Sequence, residues 1–296
     1  MTTLGIVINP TSGRGKGKAF GEQTKAEFAK TAIKLIDLSA ESFANAMENA
    51  KSALKKKTID GLVVVGGDGM FHLAVNAVAT TGVPVGLVAA GTGNDSARAL
   101  GLPIHDAKAA VAHIVEKIKT PRIVDLISSV SQNKTFYSFG AVSAGFDALV
   151  NKRANMWNWI KGPVKYRFAM YRELMAFKPI PYRLVIDGVE REFEANLCTI
   201  TNSPSYGGGL YVTPEAKVND GELDLLILNS VSRLELIKIF PTVYEGKHVT
   251  HPAVEILRAK EVEIHSAGMP AYSDGEHVGE SPVVCKVLPG ALKVFA

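Results

Sequence analysis

Four apolar runs punctuate the first part of the chain: "LGIVI" (4–8), "IKLIDL" (33–38), "GLVVV" (61–65) and "PVGLVA" (84–89). Leu62 to Val65 has no polar alternation, the pattern of a strand buried on both faces, as in a parallel sheet. Stretches such as 43–57 and 71–79 fall between these runs and carry helical spacing. This alternation predicts βαβ units and a parallel sheet. After "PRIVDLISSV" (121–130) the rhythm changes. Runs such as "YRLVIDG", "REFEANLCTITN", "ELDLLILN", "AVEILRAKEVEIHS" and "PVVCKVL" follow with turns between them, and only 164–177 and 233–240 look helical.

The expected fold is therefore an α/β N-terminal domain with a parallel sheet, residues 1–125, followed by a mainly β C-terminal sandwich domain, residues 126–296. The C-terminal tail could return to the first domain.

Composition changes this picture little: 47% hydrophobic and 21% charged residues are globular values. "MTTLGIVINP" has no basic region before its apolar stretch, so a cytoplasmic location is expected. The uncharged span 69–94 is broken by Asn76, Gly82, Pro84 and Gly86, and no transmembrane span is predicted. Cys198 and Cys285 lie far apart, form no CxxC pair and read as reduced core residues.

Charge changes it more. Residues 151–183 hold eight Lys/Arg against Glu173 alone, so the remainder of a chain of net charge +4 is acidic. The same window holds Trp157, Trp159, Tyr166, Phe168, Tyr171 and Phe177. Cations interleaved with aromatic rings suit an anionic membrane surface, although the same pattern fits a solvated helix packed on its own domain. No nucleic-acid partner is expected.

The candidate chemistry lies in loops after strands. "INPTSGRGKGK" follows the first run, "GGDG" the third and "AAGTGNDSARALG" the fourth. Glycines let backbone amides approach an anion near a helix start, and three such loops at strand C-termini would face one crevice. Neither GxxxxGK[ST] nor GxGxxG is present, so the expected nucleotide phosphate site is of another kind. Asp68 between glycines, and Asn94 or Asp95 as helix caps, also fit ordinary turns. "KVNDGELDLLIL" and "AYSDGEHVGE" add acids beside strands. Each contains an Asp-Gly hairpin signal, Asp220 and Asp224 read as turn formers, and carboxylates beside a glycine turn could also hold Mg²⁺.

Taken in order, "INPTSGRG", "GGDG", "GTGNDSARALGLP", "TNSPSYGGGLYVTPEAKVNDGELDLLIL" and "SDGE" resemble the diacylglycerol kinase catalytic family, which includes bacterial soluble lipid kinases and, more distantly, sphingosine and ceramide kinases. GGDG alone is also similar to NAD kinases and phosphofructokinases. GTGND, YGGG and DGELD discriminate. The resemblance implies an ATP- and Mg²⁺-dependent lipid kinase of phospholipid metabolism, acting on diacylglycerol or a related lipid at an anionic membrane surface to which it binds peripherally.

It implies nucleotide contacts from Asn9, Pro10, Thr11, Ser12 and Gly13, from Gly66, Gly67, Asp68, Gly69, Met70, Phe71 and His72, and from Thr92, Asn94 and Asp95, with Ser39 a weaker match. It implies a metal site at Lys217, Asp220 and Glu222, in which only Asp220 need use its side chain. Asp68, Asp274 and Glu276 are left as catalytic acids. The chain departs from the family at Met70, where relatives carry threonine, and at Ser96, where they carry an aromatic residue. A NAD kinase and a non-catalytic nucleotide-binding membrane protein are the competing readings.

Overall fold

The structure is a computed structural model that describes residues 2–145, 149, 150, 153, 156, 172 and 178–296. The chain forms two compact units, Met1–Val124 with Gly290–Ala296, and Asp125–Pro289.

In the first unit β1 (Thr3–Ile8), β2 (Lys34–Asp37), β3 (Gly61–Gly66) and β4 (Val85–Ala89) pair in parallel in the order β2-β1-β3-β4. The uninterrupted apolar run predicts this burial: Leu62 to Val65 are fully buried. The helices α1 (Ser12–Gly15), α2 (Gly17–Phe28), α3 (Phe43–Lys55), α4 (Asp68–Val78), α5 (Asp95–Leu100) and α6 (Ala107–Lys117) follow or join these strands. From β1 the chain steps outward to β2, then crosses to the other side of β1 for β3. Strand order thus reverses between β1 and β3, where an open α/β sheet leaves a crevice at its C-terminal edge. The Asn9 N–H donates to the Val65 carbonyl across this point (3.1 Å).

The second unit is built from antiparallel pairs. Its strands are β5 (Arg122–Ser131), which starts in the first unit, β6 (Lys134–Ser138), β7 (Ala141–Ser143), β8 (Ile180–Ile186), β9 (Val189–Thr201) and β10 (Leu223–Asn229). After helix α7 (Arg233–Val243) and a 3-10 turn (Lys247–Thr250) come β11 (Val254–Ala259), β12 (Glu261–His265), β13 (Pro270–Ser273), β14 (Glu276–Glu280) and β15 (Val283–Val294). The long β9 is the spine: its first half pairs with β8, its second half with β10 and β7. A core of Ile127, Leu184, Ile200, Leu225, Val262 and Val283 fills the unit, with both cysteines buried and reduced.

The run 253–266 divides in two at Lys260. Asp187 Oδ1 accepts the Lys260 and Glu261 N–H groups (3.0 and 2.8 Å), and the chain changes partner there, from β10 to β8. The expected helix 164–177, apart from the exposed and helical Arg172, and both tryptophans lie outside the described residues, as does most of the basic aromatic window. Arg183, its last cation, is on β8 and pairs with Glu190 (3.3 Å).

Candidate active site

Three glycine loops meet at the switch point of the parallel sheet. In the first, Asn9 Oδ1 accepts from the Thr11 N–H (3.0 Å) and the Thr11 hydroxyl (2.8 Å), closing a turn that leaves Pro10 and Thr11 exposed. Gly13 has φ +58°, and a Cβ there would lie 2.4 Å from the Ala90 carbonyl oxygen, so only glycine lets this loop cross the end of β4. The second and third loops touch backbone to backbone: a Cβ on Gly91 would stand 2.4 Å from Gly67 Cα. Ser12 borders the same place, its Oγ 3.0 Å from where a Gly66 Cβ would be. Ser39 hangs the loop after β2 beside Asn9, since its Oγ accepts the Ile8 N–H (2.9 Å).

The segment 66–72 divides by depth. Gly67, Asp68 and Gly69 are partly exposed, whereas Met70, Phe71 and His72 are buried, with Met70 Cγ packed over Gly66. The Met70 and Phe71 amides donate to the Gly67 carbonyl (3.0 and 3.1 Å). The amides of Asp68 and Gly69 precede them in the first turn of α4, where backbone N–H groups lack helical partners and attract anions.

The cap of α5 differs from the expected one. Asn94 is left-handed (φ +56°, ψ +37°) and binds Gly91 from both ends of its amide, Oδ1 accepting the Gly91 N–H and Nδ2 donating to its carbonyl, each at 2.9 Å. Asp95 accepts from Arg98 Nη2 (2.7 Å). The helix is instead capped from the neighbouring loop, by Asp68 Oδ1 accepting the Ser96 N–H (2.9 Å). Burial is the main cause that raises the Asp68 pKa above the usual carboxylate value. The Asp95 charge adds to it, and hydrogen bonds from Ser96 and Asp95 oppose it. Thr92, in the third loop, is exposed.

The other acids lie in the second unit. Asp274 and Gly275 both have positive φ (+48° and +87°), as a tight two-residue hairpin between β13 and β14 requires. The Asp274 carboxylate accepts three consecutive amides, from Phe139, Gly140 and Ala141, each at 2.9 Å. Glu276, two residues on, is exposed.

The Asp220 turn is pinned by Asp125, whose Oδ2 accepts the Gly221 N–H (2.8 Å). Arg258 pairs with Asp220 and, at 2.8 Å, with Glu222, while Lys217 is exposed. Asp224 is not a turn former: it lies within β10, buried, and its Oδ2 has no hydrogen-bond partner among the described residues. Sequence reading missed Asp125 as a positioning residue, because it sits in an apolar strand run with no motif around it. Among the described residues no three His, Cys, Asp or Glu side chains surround one metal position.

Two family patterns span nearly the whole chain. The diacylglycerol kinase catalytic domain matches residues 3–127, and the YegS C-terminal NAD kinase beta sandwich-like domain matches 140–296. The match to the catalytic domain, together with relatives named diacylglycerol kinase, makes the chain a lipid kinase. A diacylglycerol kinase of Mycobacterium tuberculosis is 36% identical over 98% of this chain and 93% of its own length. One of Staphylococcus aureus is 29% identical over 98% and 91%. A crystal structure of a diacylglycerol kinase from Bacillus anthracis shares the fold (TM-score 0.74, 21% identity, 99% and 96% covered). The chain belongs to the diacylglycerol kinase family.

Proposed function

We propose that this protein transfers the γ-phosphoryl group of ATP to the hydroxyl of a diacylglycerol or a closely related lipid, in the cytoplasm and at an anionic membrane surface. The observation that carries this is the convergence of the Asn9–Gly13, Gly66–Gly69 and Gly91–Asp95 loops around the half-buried carboxylate of Asp68. Phosphoryl transfer asks a protein mainly for positioning and charge stabilisation. Backbone amides at the starts of α1 and α4 receive phosphate oxygens, and the glycines keep side chains out of their way. Phe71 and His72 support the loop from within the core rather than touching the nucleotide with their side chains.

Asp68 is the group that takes the acceptor proton. Its raised pKa brings it nearer neutrality, where a general base is most effective. Asp274 is a positioning residue: with three amides on its oxygens it holds the hairpin that presents Glu276, the second candidate acid.

Mg²⁺ would be held within the second unit by the Asp220 carboxylate with backbone oxygens of Lys217 and Glu222, the hard oxygen donors this ion takes while keeping several waters, in competition with the Arg258 guanidinium that pairs with Asp220 and Glu222. The unpartnered Asp224 Oδ2 nearby in sequence adds to the local negative charge.

The experiment is Asp68→Asn assayed with radiolabelled ATP against a lipid panel and NAD. The expected outcome is a rate loss of ~10²–10⁴ on diacylglycerol with ATP binding and far-UV circular dichroism retained. A variant keeping more than a third of wild-type turnover removes Asp68 from this role, and NAD as the preferred acceptor overturns the lipid assignment.

A further inference from the structure

Helix α7 presents an apolar stripe to solvent. Its inner side is ordinary: Leu236 and Ile239 are buried with Leu228, and Leu197, Val231 and Val254 pack around them. Its outer side is not. Leu234 is 74% exposed, Ile237 40% and Tyr244, just past the helix end, 44%. Pro241 is exposed as well. The spacing 234, 237, 241, 244 places these four on one face, within an arc of about 80° at 100° per residue. Tyr211, 42% exposed, is fastened beside the end of the helix by its N–H to the Val243 carbonyl (3.0 Å).

Single exposed hydrophobic residues need no explanation; a continuous stripe of them does. Its borders are cationic. On the same wheel Arg233 falls on one side of the stripe and Lys238 on the other, both exposed, and neither has a salt-bridge partner among the described residues. Of the nearby acids, Glu245 pairs with Lys247 (2.5 Å), and Glu235 lies 3.4 Å from the His251 ring, an ion pair only when that ring is protonated.

We propose that this face of α7, with Tyr211, is a docking surface for an anionic lipid bilayer. An apolar strip flanked by long cationic side chains is the arrangement of an interfacial helix, whose apolar face enters the acyl boundary while the cations reach headgroup phosphates. Charge selects this occupant over a second copy of the chain. Two such faces apposed about a two-fold axis would bring Arg233 and Lys238 of both copies into one seam, while the nearby acids Glu245 and Glu235 are turned to Lys247 and His251 rather than to these cations. The proposal rests on the lipid-kinase reading for its purpose, since the acceptor of such an enzyme resides in a bilayer. The surface lies outside the basic aromatic window 151–183 and is independent of it.

The test uses the full chain with vesicles of phosphatidylcholine alone and of phosphatidylcholine with phosphatidylglycerol. Two double variants are compared with wild type, Leu234→Glu with Ile237→Glu and Arg233→Glu with Lys238→Glu. All four positions are exposed, and retained thermal unfolding confirms the fold. Wild type is expected to sediment with the anionic vesicles, and each variant to bind them roughly tenfold or more weakly. Phosphorylation of diacylglycerol embedded in vesicles should fall in parallel, while phosphorylation of a short-chain diacylglycerol dispersed without a bilayer stays at the wild-type rate. Unchanged vesicle sedimentation in both variants overturns the docking surface. So does light scattering that finds a wild-type dimer which the variants turn into monomers, since the occupant is then a second copy. Failure of the kinase reading looks different: no lipid is phosphorylated in either format, yet sedimentation still decides the docking question.

Discussion

Asp224 is a carboxyl buried in β10, with an oxygen that no described residue satisfies. Burial, joined by the charges of Asp220, Glu222 and Glu215, outweighs the attraction of Arg258 and pushes its pKa up to about 6 from the ordinary 3.8. Between those two values the folded chain holds a proton that the unfolded chain has lost. Stability therefore falls as pH rises through that window and is level above it, by an amount on the order of 1–3 kcal/mol. Asp224→Asn removes the ionisation. Its unfolding midpoint is expected to exceed wild type by a few degrees at pH 7.5, with most of the gain gone at pH 4. A gain equal at both pH values would show that the carboxylate charge is not its source.

Gly91 is the complementary case of a residue defined by what it lacks. A Cβ there meets Gly67 Cα at 2.4 Å and Asn94 Oδ1 at 2.8 Å, and the first of these is backbone that cannot swing aside. Gly91→Ala should leave far-UV circular dichroism intact and weaken ATP binding tenfold or more in a calorimetric titration. Unaltered affinity would mean that the contact between these two loops does not shape the phosphate site.

At the scale of elements, local chemistry was legible and long-range pairing was not. The unbroken apolar runs predicted β1, β3 and β4 because burial on both faces removes the need for polar alternation. The Asp-Gly pair announced the β13–β14 turn because both positions need positive φ. Nothing near Asp68 in sequence, however, says that its carboxylate caps α5, since its partner Ser96 is 28 residues away. Nor does the sequence around Asp274 disclose the three amides at Phe139–Ala141, which lie 133–135 residues off.

That difference separates two acids which a motif alone treats alike. Asp274→Ala leaves three buried or half-buried amides without an acceptor, and is expected to lower stability by roughly 2–4 kcal/mol. Glu276→Gln, at an exposed position, should leave the denaturation midpoint within ~0.5 kcal/mol of wild type while reducing turnover. The combination of urea unfolding and kcat distinguishes them: a stable but inactive Asp274→Asn enzyme would make Asp274 a catalytic residue rather than a positioning one.

For the whole molecule, the course of the last strand has the widest consequence. β15 begins among the antiparallel strands, pairing with β12, and its far end belongs to the parallel unit. There Val294 pairs with Val85, the Phe295 N–H donates to the Val85 carbonyl (2.8 Å), and the Phe295 ring is 1% exposed. The ring fits because Gly61 and Gly86 have no side chains; a Cβ on either would lie 3.0–3.2 Å from it. A segment remote in sequence thus completes the core beneath the strands that carry the GGDG and GTGND loops. Phe295→Ala empties that position, and the lost burial plus the cavity should destabilise the parallel unit by about 3–5 kcal/mol. The loops proposed to hold the phosphates hang on β3 and β4, so ATP is expected to restore part of the loss by binding only the folded unit, raising the unfolding midpoint of Phe295→Ala as its concentration rises. Calorimetric scans with and without ATP check both halves of the expectation. If Phe295→Ala unfolds with the midpoint of wild type, the C-terminal return does not support the parallel unit; if ATP moves neither protein's midpoint, the loops on β3 and β4 are not its site.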